Sequence, residues 1–360
     1  MSRVTVIAEA GVNHNGDLDR ALALVDAAAE AGADVVKFQT FRAEGVASRF
    51  ADKADYQKQT TDAAQSQVEM LRALELDREA HKSVMARCES RGIEFLSTPF
   101  DLDSLAFLVD DLKLGRLKIG SGDLTNAPLL LALARGRVPA ILSTGMATLE
   151  EIREALGVLA FGYLGGDAPS RAAFAAAYGS ADGRRQLAKR VTLLHCTTEY
   201  PAPHGELNLK AMDAMVEAFG LPVGFSDHSL GTSAAVAAAG RGAVMVEKHL
   251  TLDRSLPGPD HRASLEPGEL ALMTAAIREV EAALGDGIKV PQPSEAKNKP
   301  IARKSLIAAR PIKAGEPFTA ENVTTKRPGS GLPPLLLWDL LGRTASRDYR
   351  ADEPIAETLS

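Results

Sequence analysis

Short apolar runs alternate with longer amphipathic stretches through the first 285 residues of the chain. The apolar runs predict β-strands at residues 4–8, 34–38, 93–96, 117–119, 138–142, 191–194, 222–225 and 243–246. Each run is followed by a stretch with helical periodicity, at residues 18–31, 78–90, 102–110, 127–134, 149–159, 209–219, 232–239 and 267–284. Strict alternation predicts a parallel sheet, and eight units of this size are typical of an α/β protein with a (β/α)8 TIM barrel.

An open doubly wound sheet is the competing architecture for such an alternation. That fold usually carries a glycine-rich phosphate-binding turn with the spacing G-x-G-x-x-G after its first strand. Here the first strand is followed by Gly11-Val12-Asn13-His14-Asn15-Gly16, which lacks that spacing. The sequence therefore favours the barrel, which we assign to residues 1–285.

The composition changes after the last barrel unit. Residues 286–300 are rich in glycine, proline, lysine and polar residues, which is typical of a linker. From residue 301, short β-type pieces at 305–309 and 323–326 alternate with turn signals and predict a small second domain over residues 301–360. Residues 162–189, between the fifth and sixth units, are predicted to form a partly helical insertion.

Charge and cysteine content exclude several classes of protein. Lysine and arginine number 41 against 47 aspartates and glutamates, a formal net charge of −6, which argues against a nucleic-acid partner. Cys88 and Cys196 are too few for a disulfide framework or a four-thiolate metal site. The sequence contains neither a signal-peptide core nor a window approaching the ~20 apolar residues of a membrane span. We expect a cytoplasmic protein with no membrane partner.

Polar or ionisable side chains follow every predicted strand at its carboxyl end, where barrels of this kind gather their functional groups. Among them, in chain order, are Glu9, Lys37, Gln39, Thr98, Lys118, Ser121, Asp123, Ser143, Tyr200, Ser226, His228, Glu247 and His249. Any one of these residues is explained equally well as an ordinary hydrogen-bonded polar group. Their joint occurrence predicts a functional mouth of the barrel.

The two histidines are candidate metal ligands. Strands seven and eight are neighbours in a closed barrel, so His228 and His249 can meet across the mouth, near Glu247 and Glu9. Two imidazoles with open positions for oxygen ligands suit a catalytic divalent ion rather than a closed structural zinc site. The alternative is that both are hydrogen-bonded histidines without a metal.

The lysines and hydroxyls at the strand ends suit an anionic ligand, a phosphate or a carboxylate. The alternative is that such hydroxyls cap helices, as Thr148 could do with Glu151 in a capping box. The long connection of residues 40–77 is predicted to be a lid or a binding loop, with disorder as the alternative.

Several motifs, taken in order along nearly the whole chain, resemble the sialic acid synthase family. They are Ala8–Gly16, Val36–Thr40, Leu96–Phe100, Lys118–Asp123, Ser143–Met146, His195–Pro201, Ser226–His228 and Gly258–His261. The tail, with Lys326-Arg327-Pro328-Gly329-Ser330-Gly331, looks like the C-terminal antifreeze-protein-like (SAF) domain of that family. The resemblance implies a TIM barrel followed by a SAF domain.

The resemblance also implies a reaction and an assembly. Members of this family condense phosphoenolpyruvate with an N-acetylmannosamine-type sugar, giving a nonulosonic acid and phosphate. They require Mn²⁺ or a similar divalent ion such as Mg²⁺ or Co²⁺. They work as domain-swapped homodimers in which the small domain covers the active site of the partner subunit.

Roles carry over position by position from the resemblance. The metal ligands would be His228 and His249, and Glu9 would position or activate water. The residues that would hold phosphoenolpyruvate are Lys37, Thr98, Lys118, Ser121, Ser143 and Ser226. Those that would face the sugar are Gln39, Asp123, Tyr200 and Asp260, with Arg327 recognising the N-acetyl group from the partner subunit.

The main interpretation is an N-acetylneuraminate synthase. An alternative within the family is a legionaminic acid-type synthase acting on a 2,4-diacetamido-trideoxy sugar, or one using a 6-phosphorylated mannosamine. Outside the family, a Schiff-base aldolase with Lys37 or Lys118 as the covalent group and a non-enzymatic sugar-binding protein are rivals.

Overall fold

In the computed structural model the chain divides into two compact units, Met1–Gly285 and Asp286–Ser360, and the structure describes residues 3–62 and 64–359. The first unit holds a parallel sheet with the strand order β3-β2-β1-β8-β7-β6-β5-β4, and β3 and β4 lie side by side. The predicted barrel is thereby confirmed. Its strands are β1 (Thr5–Gly11), β2 (Val35–Thr40), β3 (Glu94–Pro99), β4 (Leu117–Ile119), β5 (Ala140–Ser143), β6 (Val191–Cys196), β7 (Val223–Asp227) and β8 (Met245–His249).

Eight principal helices follow the eight strands. They are α1 (Leu18–Glu30), α5 (Arg78–Arg91), α6 (Leu102–Ala106), α7 (Ala127–Arg135), α8 (Leu149–Tyr163), α11 (Ala211–Phe219), α12 (Ser233–Gly240) and α13 (Pro267–Leu284). The connection after β2 adds α2 (Ala43–Val46), α3 (Asp55–Thr60) and α4 (Gln67–Ala73), and the insertion after α8 forms α9 (Arg171–Gly179) and α10 (Ala181–Arg190).

Several strands run further toward the barrel mouth than their apolar residues do. The apolar run of the first strand stops at Ala8, but β1 continues to Gly11. Similarly, β3 continues past Leu96 to Pro99. Ladder hydrogen bonds join backbone groups and do not require apolar side chains, so pairing persists into the polar ends. The functional residues therefore stand on rigid strand backbone.

The interior of the barrel below the mouth is filled by a layer of apolar side chains. This layer consists of Ile7, Val35, Leu96, Ile141 and Leu194, with Met245 packed against it. Because side chains alternate along a strand, the residue two positions later points the same way and lies one layer higher. Those residues are Glu9, Lys37, Thr98, Ser143, Cys196 and Glu247, so the layered packing itself lifts polar groups to the mouth.

Helix capping explains some of the polar residues that follow strands. Thr148 accepts a hydrogen bond from the backbone N–H of Glu151 at 3.2 Å, and the Glu151 carboxylate accepts one from the N–H of Thr148 at 2.8 Å. This reciprocal pair is the capping box predicted from the sequence. Thr148 is therefore the N-cap of α8.

The second unit contains two antiparallel strands, β9 (Ser305–Ala308) and β10 (Val323–Lys326). It also holds the short helices α14 (Pro293–Ala296), α15 (Lys299–Ala302) and α16 (Leu337–Leu340). The helices α14 and α15 thus lie within and just after the predicted linker of residues 286–300. A core of its own, which includes Leu306, Phe318, Leu340, Tyr349 and Ile355, holds this unit together.

Candidate active site

Two ammonium groups and two carboxylates meet at the centre of the barrel mouth. Lys37 Nζ lies 2.7 Å from Glu9 Oε2 and 3.6 Å from Glu247 Oε2. Lys118 Nζ donates to Glu247 Oε1 at 2.9 Å. All four side chains are at most 5% exposed. Glu247 on β8 therefore bridges two lysines, Lys37 on β2 and Lys118 on β4.

The sheet register explains this meeting. Glu9 on β1 is opposite Lys37 on one side and His249 on the other. Glu247 on β8 is opposite Ser226 on β7, and the Ser226 hydroxyl donates to Glu247 Oε1 at 2.7 Å. Closure of the sheet then brings the longer Lys118 side chain across the mouth.

The two carboxyl groups are tuned in opposite directions. Burial raises the pKa of Glu9 and the negative Glu247 adds to this, although Lys37 opposes it. Burial also opposes the charge on Glu247, but Lys118 and Lys37 outweigh it and hold the pKa of Glu247 well below its usual range. Two carboxyls with divergent pKa values are the pattern of one that exchanges a proton and one that stays ionised.

Lys37 is held in its protonated form. Burial disfavours its charge, but the neighbouring Glu247 and Glu9 carboxylates outweigh burial and raise the pKa of Lys37 above its ordinary value. A covalent amine nucleophile needs a lowered pKa. This environment therefore argues against a Schiff base on Lys37.

The two histidines face each other at the same rim, with ring centroids 5.4 Å apart. His228 Nδ1 donates to the carbonyl of Thr197 at 2.7 Å, which leaves Nε2 toward the Ser226 hydroxyl at 3.4 Å. His249 Nδ1 is buried without a hydrogen-bond partner among the described residues and lies 3.8 Å from Asp260 Oδ2. Burial lowers the pKa of His228 to about 4 and that of His249 well below its usual range, so both rings are neutral.

Two neutral imidazoles, one of them with its tautomer fixed by the Thr197 carbonyl, fit a divalent metal ion. With ring centroids 5.4 Å apart, the two rings would be close enough to hold one ion between them. Over residues 3–62 and 64–359, no group of three or more histidine, cysteine, aspartate or glutamate side chains has a metal-binding arrangement. The fit is thus to an open site in which two protein ligands leave positions for substrate or water oxygens.

Aromatic rings line one wall of the mouth. The Tyr200 ring stacks on His228 with centroids 4.2 Å apart and meets the edge of His249 at 5.5 Å. Tyr56, from α3 in the long second connection, packs against Tyr200 at 5.1 Å. Within the described residues, which leave out Ala63, this connection thus contains three short helices and places Tyr56 at the mouth.

A second group of hydroxyls clusters around Gly145. The backbone N–H of Gly145 donates to Ser121 Oγ at 3.0 Å, and Ser121 Oγ lies 3.1 Å from Cys196 Sγ. A Cβ at Gly145 would lie 2.2 Å from Thr198 Oγ1, so only glycine fits there. The hydroxyls of Thr198 and Ser143 are buried without a partner in the described part of the chain. Such donors suit an anionic ligand.

The remaining predicted residues fall at different distances from this centre. Gln39 donates to Glu9 Oε1 at 3.4 Å, and Thr98 accepts from Lys37 at 3.3 Å, so both belong to the central cluster. Asp260 is buried beside His249, and burial, with Glu9 next, raises its pKa to about 7.

Two predicted sugar contacts are held by neighbours outside that centre. Asp123 accepts from the Asn126 side chain at 2.9 Å, at the start of α7. Arg327 belongs to the second unit, where its exposed guanidinium donates to the carbonyl of Ala302 at 3.0 Å. Their roles toward the sugar stay predictions.

Sequence reasoning gave no role to Glu247 or Thr198. The period-2 rule does place Glu247, two residues before His249 on β8, on the inward face near the two histidines, but it assigns no partner or role to that carboxylate. Nothing in the sequence indicates that Thr198 reaches Gly145, because that contact joins two different loops.

Comparison with known proteins identifies the family of this chain. Residues 24–289 match the NeuB family and residues 303–358 match the SAF domain. The N,N'-diacetyllegionaminic acid synthase of Campylobacter jejuni is 47% identical over 359 residues, 99% of this chain and 100% of that protein. The synthase of the same name from Legionella pneumophila is 42% identical, over 96% of this chain and 91% of that protein.

A solved structure is similar to this chain in both fold and sequence. The crystal structure of N-acetylneuraminic acid (sialic acid) synthetase from Leptospira borgpetersenii, in complex with citrate, superposes with a TM-score of 0.66 at 32% identity, covering 82% of this chain and 90% of that one. The fold and the charged mouth define a barrel synthase that forms a carbon–carbon bond with phosphoenolpyruvate. The chain belongs to the NeuB family and carries a SAF domain. Within the described ranges, no helix is long and apolar enough to cross a membrane.

Proposed function

We propose that this protein condenses phosphoenolpyruvate with a 2,4-diacetamido-2,4,6-trideoxy sugar of the manno type, giving a legionaminic acid-type nonulosonic acid and phosphate. The observation that carries the proposal is the 47% identity over 99% of this chain to the Campylobacter jejuni synthase. The relative from Legionella pneumophila bears the same name at 42% identity. These relatives favour the diacetamido sugar over the N-acetylmannosamine of the main interpretation from sequence.

The basic groups of the mouth suit phosphoenolpyruvate. Lys37 and Lys118 would place positive charge beside its carboxylate and phosphate. The buried hydroxyls around Gly145, together with Thr98 and Ser226, would orient the same anion. Fixed donors of this kind favour the developing charge of a transition state without reorganisation.

The reaction forms one bond to the sugar and breaks one to phosphate. The enolpyruvate methylene carbon attacks the aldehyde carbon of the open-chain sugar, and the aldehyde oxygen takes up a proton. Water adds to the resulting cationic carbon next to the carboxylate and gives up its proton to Glu9. The tetrahedral intermediate then collapses to a ketone: its hydroxyl proton passes to the departing phosphate as the carbon–oxygen bond to phosphate breaks, and the proton that Glu9 later releases balances the one taken up by the aldehyde oxygen.

Glu9 is suited to the proton transfer. Its carboxyl is buried and its pKa is raised, chiefly by burial, which brings it nearer the operating pH at which a general base works best. Glu247, whose pKa is lowered by the two lysines against the effect of burial, would stay ionised and hold those lysines in place.

The imidazoles of His228 and His249 would hold a divalent cation, for which we propose Mn²⁺. When bound, the cation would polarise the sugar aldehyde as a Lewis acid. Tyr200, stacked on His228, and Asp260, beside His249, would lie next to the sugar at this point.

We also propose that the protein acts as a homodimer in which Arg327 of the SAF domain recognises an acetamido group in the active site of the partner subunit. The match of residues 303–358 to the SAF domain supports this part of the proposal.

A phosphate-release assay with Mn²⁺ tests the substrate. Phosphoenolpyruvate is offered with the diacetamido sugar, N-acetylmannosamine or its 6-phosphate, and we expect the highest kcat/KM with the diacetamido sugar. A preference for N-acetylmannosamine would reject the proposed substrate but keep the reaction class. With ¹⁸O in the bridging position of phosphoenolpyruvate, the label should leave in phosphate, and label retained in the nonulosonic acid would reject the proposed cleavage.

A further inference from the structure

A fully buried ion pair lies directly behind the two histidines. Asp227 on β7 and Lys248 on β8 are register partners. Lys248 Nζ lies 2.8 Å from Asp227 Oδ2, and both side chains are 0% exposed. Because side chains alternate along a strand, this pair points away from the face that carries His228 and His249. It is therefore outside the mouth and has no direct part in the proposed reaction.

The same pair fixes the backbone on both sides of His228. Asp227 Oδ1 accepts hydrogen bonds from the backbone N–H of Ser229 at 2.9 Å and from its hydroxyl at 2.7 Å. Lys248 Nζ also donates to the carbonyl of Ser229. Lys248 on β8 thus binds both ends of the turn after β7: the carboxylate of Asp227 and the carbonyl of Ser229.

The ring of His228 is then fixed from a third direction. Its Nδ1 donates to the Thr197 carbonyl at 2.7 Å, and its own carbonyl accepts from the N–H of Ala202 at 2.9 Å. His249 directly follows Lys248 on β8. The ion pair is therefore the direct side-chain connection between the strand residues adjoining the two imidazoles.

A buried ion pair is weak evidence for stability, because well-packed apolar residues of similar volume are often as good. Its value lies in geometry: a charge pair whose two members also bind Ser229 permits few alternative arrangements. Groups behind the metal ligands tune metal affinity by orienting those ligands.

We propose that Asp227 and Lys248 are positioning residues that hold His228 and His249 at the separation required to bind one divalent cation. This inference rests on the proposed function, in which both imidazoles are ligands. In this inference, two residues outside the mouth set how tightly the site binds the metal.

The test measures Mn²⁺ binding directly, by the electron paramagnetic resonance signal of free Mn²⁺ in titrations of the full-length protein. Asp227→Asn leaves the lysine charge without its partner, and we expect the Kd for Mn²⁺ to rise by about tenfold or more. The double variant Asp227→Asn/Lys248→Met removes both charges and is the variant that decides if the single one does not fold. We expect its Kd to be raised as well, since the Ser229 carbonyl loses its donor.

Asp34→Asn is the matched control. The Asp34 carboxylate accepts from the backbone N–H of Val6 at 2.8 Å and from Arg278 at 2.6 Å, and it directly precedes β2 at the other end of the strands. Like Asp227 it joins a cation to a backbone amide, so its loss should affect unfolding but leave the Kd for Mn²⁺ within about twofold.

A Kd unchanged in the folded Asp227 variants overturns the positioning role while the metal site stands. Equal increases in the Asp34 and Asp227 variants also overturn it, because the effect would then follow general stability. The proposed metal site is itself wrong if the wild-type protein does not bind Mn²⁺, or if His228→Ala leaves Mn²⁺ binding unchanged. The positioning role then fails with it.

Discussion

Glu247→Gln removes the one negative charge that bridges two buried lysines, with almost no change in shape. Glu247 lies 2.9 Å from Lys118 Nζ and 3.6 Å from Lys37 Nζ, and its side chain is 3% exposed. Removing one partner of a buried ion pair typically costs about 3–5 kcal/mol of folding free energy, because the other charge stays buried and uncompensated. A glutamine oxygen can still accept from Ser226, so we expect the lower end, about 3 kcal/mol.

For a domain of this size that loss lowers Tm by roughly 6–12 °C, at about 2–4 °C per kcal/mol. Thermal unfolding without phosphoenolpyruvate or metal measures it. Glu94→Gln is the matched control: Glu94 forms a two-bond ion pair with Arg116 at 2.7 Å, but that pair is 26% and 44% exposed, so about 0–1 kcal/mol is expected.

Phosphoenolpyruvate should offset part of the loss, because its anionic oxygens would meet the lysines that Glu247 no longer neutralises. The increase in Tm at saturating phosphoenolpyruvate is therefore expected to be larger in Glu247→Gln than in the wild type. A variant that unfolds at the wild-type temperature without ligand would refute the electrostatic reasoning. An equal increase on adding phosphoenolpyruvate would refute the assignment of the lysines to that substrate.

Three further outcomes are expected. His228→Ala and His249→Ala should each lower metal-dependent turnover by about 100-fold or more while circular dichroism stays unchanged, since a Lewis acid supplies several kcal/mol; near-normal activity without added metal would contradict the ligand assignment. Deleting the residues after Ile301 should abolish sugar use but not phosphoenolpyruvate binding, and full activity of the truncated barrel would remove the role of the SAF domain. Burial lowers the pKa of His14 to about 3, so below about pH 6.5 the unfolded chain binds a proton that the folded chain does not. The free energy of unfolding should thus decrease as the pH is lowered, by up to about 1.4 kcal/mol per pH unit. In denaturant unfolding, this decrease should be smaller for His14→Gln than for the wild type, but unchanged for the exposed His204→Gln.

Strand and helix order could be predicted from the sequence because each element is encoded locally. The helix predicted at residues 267–284 is α13 with the same bounds, and the strand predicted at residues 117–119 is β4. Where the polar site begins, the apolar signal ends before the strand does, as in β1, because backbone pairing leaves no trace in side-chain hydropathy.

The pairing within the site could not be predicted in this way. Glu247 and Lys118 are 129 residues apart, and no local pattern joins them. That Glu247 rather than Glu9 neutralises Lys118 depends on which side chain reaches across the closed sheet.

The sequence alone determined which residues stand at the carboxyl ends of the strands, since alternation and period decide that residue by residue. The tertiary structure alone decided which of them touch, which carboxyl is driven toward its neutral form, and that Asp227 and Lys248 tie together the strand ends that carry the two histidines. The physical reason is that distance and burial arise only when the sheet closes, and both the strength of a charge pair and the pKa of a buried group depend on them.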